Sequence, residues 1–320
     1  MNFSDILRTA VFALRGNWLR SALTSLGVII GIAAVIVMVS VGQGTQAEID
    51  KMVSGLGSQR LDISPGSRRG PGGGGARMSA ASFFTLNEGD VDAIRNEVPE
   101  VQYVAGALRG NTQVVFAENN ASTSWQGVQP DFFDINGWQI ASGDGFQAQD
   151  YSSADKVVII GETVRRTLFG DDPGVGQTIR LGRVPFTVVG TLKSKGQGGF
   201  GQDQDDVVMV PLETGRRRLM GAMGLPAGAV MQIALTVTDA KDLTYVQGEV
   251  EALLRQRHRI APGDEDDFNV RNISEIVATR TATTNLMSKM LGAVATICLV
   301  IGGIGIMNIM LVSVTERTRE

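Results

Sequence analysis

Two stretches of the chain carry no charged side chain, Ser21 to Ala47 and Met290 to Thr315, and the second is followed at once by Glu316-Arg317-Thr318-Arg319-Glu320. As helices rising about 1.5 Å per residue, each is long enough to cross a hydrocarbon layer of roughly 30 Å. The pattern predicts two membrane helices with one large soluble domain between them. The first run is read as an uncleaved anchor, because its polar head and apolar core are both longer than a signal peptide's. Arg8, Arg15 and Arg20 precede it, whereas Lys51 and Arg60 follow, which places both termini in the cytoplasm and residues 48 to 289 outside. Phe3, Ile6, Leu7, Ala10, Val11 and Leu14 recur at helical spacing. They read as an amphipathic helix on the cytoplasmic face, or as an extension of the first span. Gly27 with Gly31, and Gly302 with Gly303, are the glycines that would let membrane helices approach closely.

Between the spans the period changes. Leu61 to Ser64 reads as a strand, Asn87 to Glu97 as a helix opened by a capping box from Thr85 to Glu88, and Val101 to Leu108 as the next strand. From Asn111 to Leu212, short apolar runs are separated by Gly, Asp and Pro. Strands are expected at Gln113 to Phe116, Ser124 to Val128, Lys156 to Ile160, Gln177 to Leu181, Pro185 to Leu192 and Val207 to Val210. Small helices fit Pro130 to Ile135 and Glu162 to Leu168, and Gly196 to Gly201 reads as a loop tip. The α/β pattern resumes with a strand over Val230 to Val237, a helix over Ala240 to Gln256 and a strand at Asn269 to Asn272. Ile273 to Lys289 is helical enough to run straight into the second span. The expected fold class is an α+β domain, an α/β part with an inserted strand-rich lobe, held between two transmembrane helices.

Composition narrows the chemistry. A net charge of -4 with scattered basic residues argues against nucleic acid as a partner. One cysteine, Cys298, lies inside the second span, so no disulfide can form within the chain. A single histidine, His258, stands in the basic stretch Arg255 to Arg259 and reads as a surface residue. With it alone there is no Ser-His-Asp or Cys-His triad and no histidine-rich zinc site. Gly70 to Gly75 lacks the Lys-Ser/Thr of a phosphate-binding loop. Asp264 to Asp267, and Asp203 with Asp205 and Asp206, read as solvated loops without EF-hand spacing. Asn120-Ala121-Ser122 and Asn272-Ile273-Ser274 match a glycosylation pattern that is common by chance. No catalytic residue, cofactor or metal is expected, and the chain is expected to act by binding or movement.

The two ends carry a resemblance. Asn17-Trp18-Leu19-Arg20-Ser21-Ala22-Leu23-Thr24, continuing to Ala34, resembles the opening of MacB and FtsX-like ABC transporter permeases, and Gly302-Gly303-Ile304-Gly305-Ile306-Met307-Asn308 through Glu320 is similar to their second membrane helix and the loop after it. Trp125-Gln126-Gly127-Val128 with Phe132-Phe133, and Val158-Ile159-Ile160-Gly161-Glu162 with Leu168-Phe169-Gly170, resemble the periplasmic core of the same family.

The resemblance implies a mechanotransmission permease in the inner membrane, multi-pass, working with an ABC ATPase and a second permease chain. A periplasmic adaptor and an outer-membrane channel would join it in the efflux branch. Release of lipoproteins, control of a cell-wall hydrolase, and a two-span sensor or scaffold are the alternatives. The ATPase is expected as a separate chain, and the family's third and fourth helices are not contained in this sequence. The implied organisation is a cytoplasmic helix (1–18), a first span and start of stalk (19–47), a porter-like α/β part in two pieces (48–110 and 229–272) around a strand-rich lobe (111–228), a stalk helix (273–289), a second span (290–315) and a coupling region (316–320). Glu316, Arg317, Arg319 and Glu320 are the residues the resemblance places toward the ATPase.

Overall fold

Alternation of apolar side chains along its strands gives the middle of the chain a two-faced sheet. The computed structural model describes residues 26, 29–33, 35–45, 59–66, 84–198, 202–220 and 226–317. It separates into one unit made by the chain ends, Met1–Ile49 with Ala278–Glu320, and another made by Asp50–Val277.

In the second unit the order is β1 (Arg60–Pro65), β2 (Leu86–Asn87), α2 (Glu88–Glu97), β3 (Val101–Phe116), β4 (Asn119–Val128), α3 (Phe132–Asn136), β5 (Ile140–Gly143), α4 (Ala148–Ser153), β6 (Val157–Ile160) and α5 (Glu162–Phe169). There follow β7 (Thr178–Leu181), β8 (Val184–Leu192), β9 (Val207–Pro211), α6 (Leu212–Thr214), β10 (Ala229–Val230), β11 (Gln232–Val237), α7 (Leu243–Arg257) and β12 (Phe268–Asn272). The first unit holds α1 (Ile29–Thr45) and α8 (Ile273–Arg317), whose first turn belongs to the second unit.

The main sheet runs β12-β1-β11-β3-β4-β9-β6-β8-β5, with β7 beside β3 and β8, and β2 pairs separately with β10. Pairing is antiparallel except at β4–β9 and β6–β8. Val104, Val158, Ile160, Val208, Val210, Ile233 and Leu235 point into one core, which α2, α5 and α7 complete with Ile94, Leu168 and Val250. The residues between them, Ala105, Ile159, Met209 and Ala234, point to the other face, where α3 supplies Phe132 and Ile135. Small residues on that second face leave room for a cleft.

Several expectations change. Val101 to Leu108 and Gln113 to Phe116 are one strand: Arg109-Gly110-Asn111-Thr112 continues the ladder opposite Thr123 to Gln126. Gly110 permits this because its partner Trp125 lies across it, Nε1 standing 2.7 Å from where a Cβ would be. The capping box on α2 is Asn87 with Asp90, not Thr85 with Glu88. The Asp90 amide donates to Asn87 Oδ1 at 3.2 Å and the Asn87 amide donates to Asp90 Oδ2 at 3.0 Å. β5 and α4 were not expected, and the helix at Ala240 opens as a 3-10 turn, Ala240–Asp242, before α7. Asp205 and Asp267 are buried rather than solvated. Asn272 is buried too, its Oδ1 accepting from the Ser274 amide at 2.9 Å, which closes that glycosylation pattern to a modifying enzyme in the folded chain. The amphipathic N-terminal helix, the first stalk, Gly70 to Gly75 and the tip residues 199–201 lie outside the described residues.

Candidate functional site

Three places carry the chain's polar and membrane chemistry. The first is the helix pair α1 and α8. Gly31 is buried on α1 and Val35, Met38, Gly42 and Thr45 are half-buried, a stripe that recurs every three or four residues. On α8 the inward positions are Ser288, Gly292, Ala295, Cys298, Gly302 and Gly305. Met38 Sδ lies 3.6 Å from the point where Gly292 would carry a Cβ, and Ser288 Oγ lies 3.9 Å from that point on Gly42, so the helices run antiparallel. Outside this seam the large side chains face outward, among them Leu286, Met290, Val294, Ile297, Ile301 and Met310, each more than half exposed. Small residues inside and large apolar ones outside suit a lipid surroundings, where close backbone approach drives helix pairing. Ile273–Gly305 is long and apolar enough to cross a membrane, and Ile29–Thr45 is a shorter apolar helix.

Of the packing glycines, Gly31 and Gly302 lie in this seam, Gly303 faces open space, and Gly27 lies outside the described residues. Glu316 and Arg317 end α8, while Arg319 and Glu320 lie outside the described residues.

The second place is a buried ionic cluster beside β12, the strand that leads into α8. His258 is not a surface residue: its side chain is 7% exposed and its two ring nitrogens each face a carboxylate. Nδ1 lies 2.7 Å from Asp267 Oδ1 and Nε2 3.2 Å from Asp90 Oδ2, while Arg257 Nε donates to Asp90 Oδ1 at 2.8 Å. The histidine ends α7, where the helix dipole favours a cation. The hydrogen bond to Asp90 raises the His258 pKa, burial opposes it, and Asp267 adds to the rise. Burial pushes Asp90 upward, but hydrogen bonds from His258, Arg257 and the Asn87 amide prevail and hold it below the usual carboxylate value. The Asp267 carbonyl takes the Gly66 amide and the Thr85 hydroxyl, both at 2.8 Å. One histidine thus ties α2, α7 and the approach to β12 together.

The third place is a cleft of about 370 Å³ on the less crowded sheet face, where β1, β4, α3 and β11 meet the segment before β9. Asn136, buried at the end of α3, accepts Arg60 Nη1 on Oδ1 at 2.5 Å and Lys195 Nζ on its backbone oxygen. Arg60 is also paired with Asp62 at 2.7 Å, and Lys195 lies 4.3 Å from the centre of the Trp138 ring. Asp205 shapes the wall by accepting Ser194 Oγ at 2.5 Å and the Lys195 and Gly196 amides at 2.8 and 3.0 Å. Sequence reading missed this cleft, since Arg60, Asn136 and Lys195 are scattered along the chain. The short-range signal was the Asp-rich stretch 203–206, whose carboxylates build the wall. Among the described residues no group of three or more His, Cys, Asp or Glu is arranged to hold a metal ion.

Residues 21–253 match the MacB-like periplasmic core domain family. The chain belongs to that family. A macrolide export ATP-binding/permease protein MacB of Azoarcus sp. (strain BH72) is 39% identical over 330 residues, covering 100% of this chain and 46% of its own length. A protein of the same name from Syntrophobacter fumaroxidans (strain DSM 10017 / MPOB) is 34% identical, covering 99% of this chain and 51% of its own. The chain therefore spans about half the length of the curated relatives it matches. The periplasmic region of MacB from Actinobacillus actinomycetemcomitans shares the fold at a TM-score of 0.56 and 19% identity, covering 71% of this chain and 94% of that one. The extracellular domain of the noncanonic ABC-type transporter YknZ does so at 0.51 and 16%, covering 67% and 100%. The two solved structures share the fold, and the strands expected at Ser124 to Val128 and Lys156 to Ile160 correspond to β4 and β6.

Proposed function

We propose that the chain is the permease of an inner-membrane ABC transporter and passes ATP-driven movement from the cytoplasmic side to its periplasmic domain. The observation that carries this reading is α8: one unbroken helix from Ile273 to Arg317 that begins on the residue after β12. A helix of that length extends roughly 68 Å at about 1.5 Å per residue, more than twice a hydrocarbon layer. In this reading a push at its cytoplasmic end reaches the periplasmic domain through the backbone of this one helix.

In this reading both α1 and α8 cross the membrane, Glu316, Arg317, Arg319 and Glu320 receive the movement of an ABC ATPase, and two permease chains work together. Gly27, Gly31 and Gly302 pack the membrane helices, while Gly303 faces away from that seam. The periplasmic part divides into a porter-like piece and the strand-rich lobe, linked through the long β3–β4 hairpin. The relatives named for macrolide export support efflux as the branch, and in this reading a periplasmic adaptor and an outer-membrane channel are its expected partners. Hydrolysis of ATP belongs to the ATPase and not to the residues of this chain.

The test is to insert Gly-Gly after Val277 in the full-length permease, assembled with its ATPase. Two flexible residues break the helical rod while leaving both ends intact. ATP hydrolysis should persist and export should fall at least tenfold. Export at the unmodified rate would overturn the reading.

A further inference from the structure

We propose that the cleft over Asn136 binds a small molecule bearing a single carboxylate, which the Lys195 ammonium and the Arg60 guanidinium take up together. Asn136 brings these two cations to one place, through its side-chain oxygen and its backbone oxygen. Only one is answered by an acid: Asp62 pairs with Arg60 and also accepts Gln232 Nε2 at 3.0 Å. Lys195 meets a carbonyl oxygen and the face of an indole, and among the described residues no carboxylate pairs with it. Asp205 reaches it only through space, its oxygens being engaged by a hydroxyl and two backbone amides.

A half-buried ammonium in that position is costly to keep charged. Burial and the nearby Arg60 charge both lower the Lys195 pKa, with Asp205 countering in part. An incoming carboxylate reverses that balance and supplies the charged partner the site lacks. The cleft has the volume of a small-ligand site, and Gln126 and Gln232 line it with amides for the rest of the molecule. Asp203 and Asp206 line it as well, so a carboxylate, whose charge sits at one end and can turn toward Lys195 and Arg60, is repelled less than a tetrahedral phosphate, whose charged oxygens face every side of the cleft. The inference does not rest on the transport reading.

Acetate is the simplest probe, titrated into the full chain in detergent at constant ionic strength, with inorganic phosphate as the comparison. Trp138 emission reports the site, and Trp138→Phe identifies that signal. The expected result is saturable binding of acetate, at least tenfold weaker for phosphate, at least tenfold weaker in Lys195→Met and unchanged in Lys193→Met. Acetate should also raise the melting temperature of the unmodified chain and not that of Lys195→Met. Should Lys195→Met fail to fold, Lys195→Gln serves in its place. Equal affinity in the Lys195 variant, tighter binding of phosphate, or neither emission change nor thermal shift with acetate would overturn the proposal.

Discussion

At the scale of residues, His258 shows where sequence reading stops. Its neighbours Arg255, Arg257 and Arg259 look like a solvated face, and nothing local announces that Asp90 and Asp267 arrive from other elements. Protonated, the imidazole donates to both carboxylates, so its stabilising contribution is complete below the unfolded pKa of about 6.5 and fades as pH rises through its raised folded value. Asp90 works in the opposite sense: its contribution is complete above about 3.8 and fades as pH falls through its lowered folded value. His258→Gln should therefore cost about 2–4 kcal/mol near pH 5.5, because two largely buried carboxylates lose their shared cation. That cost should shrink in alkaline solution; melting curves of both chains from pH 4 to 9 check it, and a constant difference would refute the assignment. Gly161 was legible as part of a recognisable motif, but its reason was not. A Cβ there would stand 2.2 Å from the Asp205 carbonyl oxygen, while its amide donates to Val207 at 2.8 Å. Gly161→Ala should lower stability by about 1–3 kcal/mol in denaturant titrations, through overpacking against fixed backbone.

At the scale of elements, apolar runs were read well where their period was unbroken. β6, β7, β8 and β9 lie within a residue or two of their expected ends, because each is a short apolar segment bounded by Gly, Asp or Pro. β3 was cut in two because Gly110 and Asn111 have turn chemistry, and only the opposing Trp125 shows why a glycine belongs there. β5 and α4 escaped notice: their few apolar side chains give no period, and α4 opens on a Gln147–Asp150 capping box instead of the commoner Ser or Thr. The α1–α8 seam makes a sharper prediction than any strand. Gly42→Cys with Ser288→Cys, in a Cys298→Ala background, should form a disulfide under mild oxidation, since Ser288 Oγ already lies 3.9 Å from the Gly42 Cβ position. Placing the second cysteine at Met287, which is exposed, should give no cross-link. Equal cross-linking at both positions would rule out the antiparallel register.

At the scale of the whole molecule, the division legible in the sequence was membrane against water, and its consequence can be tested directly. The unit Asp50–Val277 carries both apolar cores and the His258 cluster, and its sheet is closed over by helices from the same stretch of chain. Among the described residues, the buried side chains of both cores lie between Leu61 and Phe268. A fragment of residues 50–277 should therefore fold cooperatively in water without detergent, and its melting temperature should match the corresponding transition of the full chain within a few degrees. Far-ultraviolet circular dichroism during heating reads the transition. The opposite result, a fragment without a cooperative melt, would mean that α1 and α8 help to hold the sheet. If the proposed function holds, the two outcomes also bear on how force travels, because a domain with its own stable core can be moved as a body, whereas one that needs the helices would loosen when they shift. The His258→Gln variant of the same fragment separates local from global effects: it should melt earlier at pH 5.5 and in one step, since α2, α7 and the approach to β12 belong to the same core as the sheet.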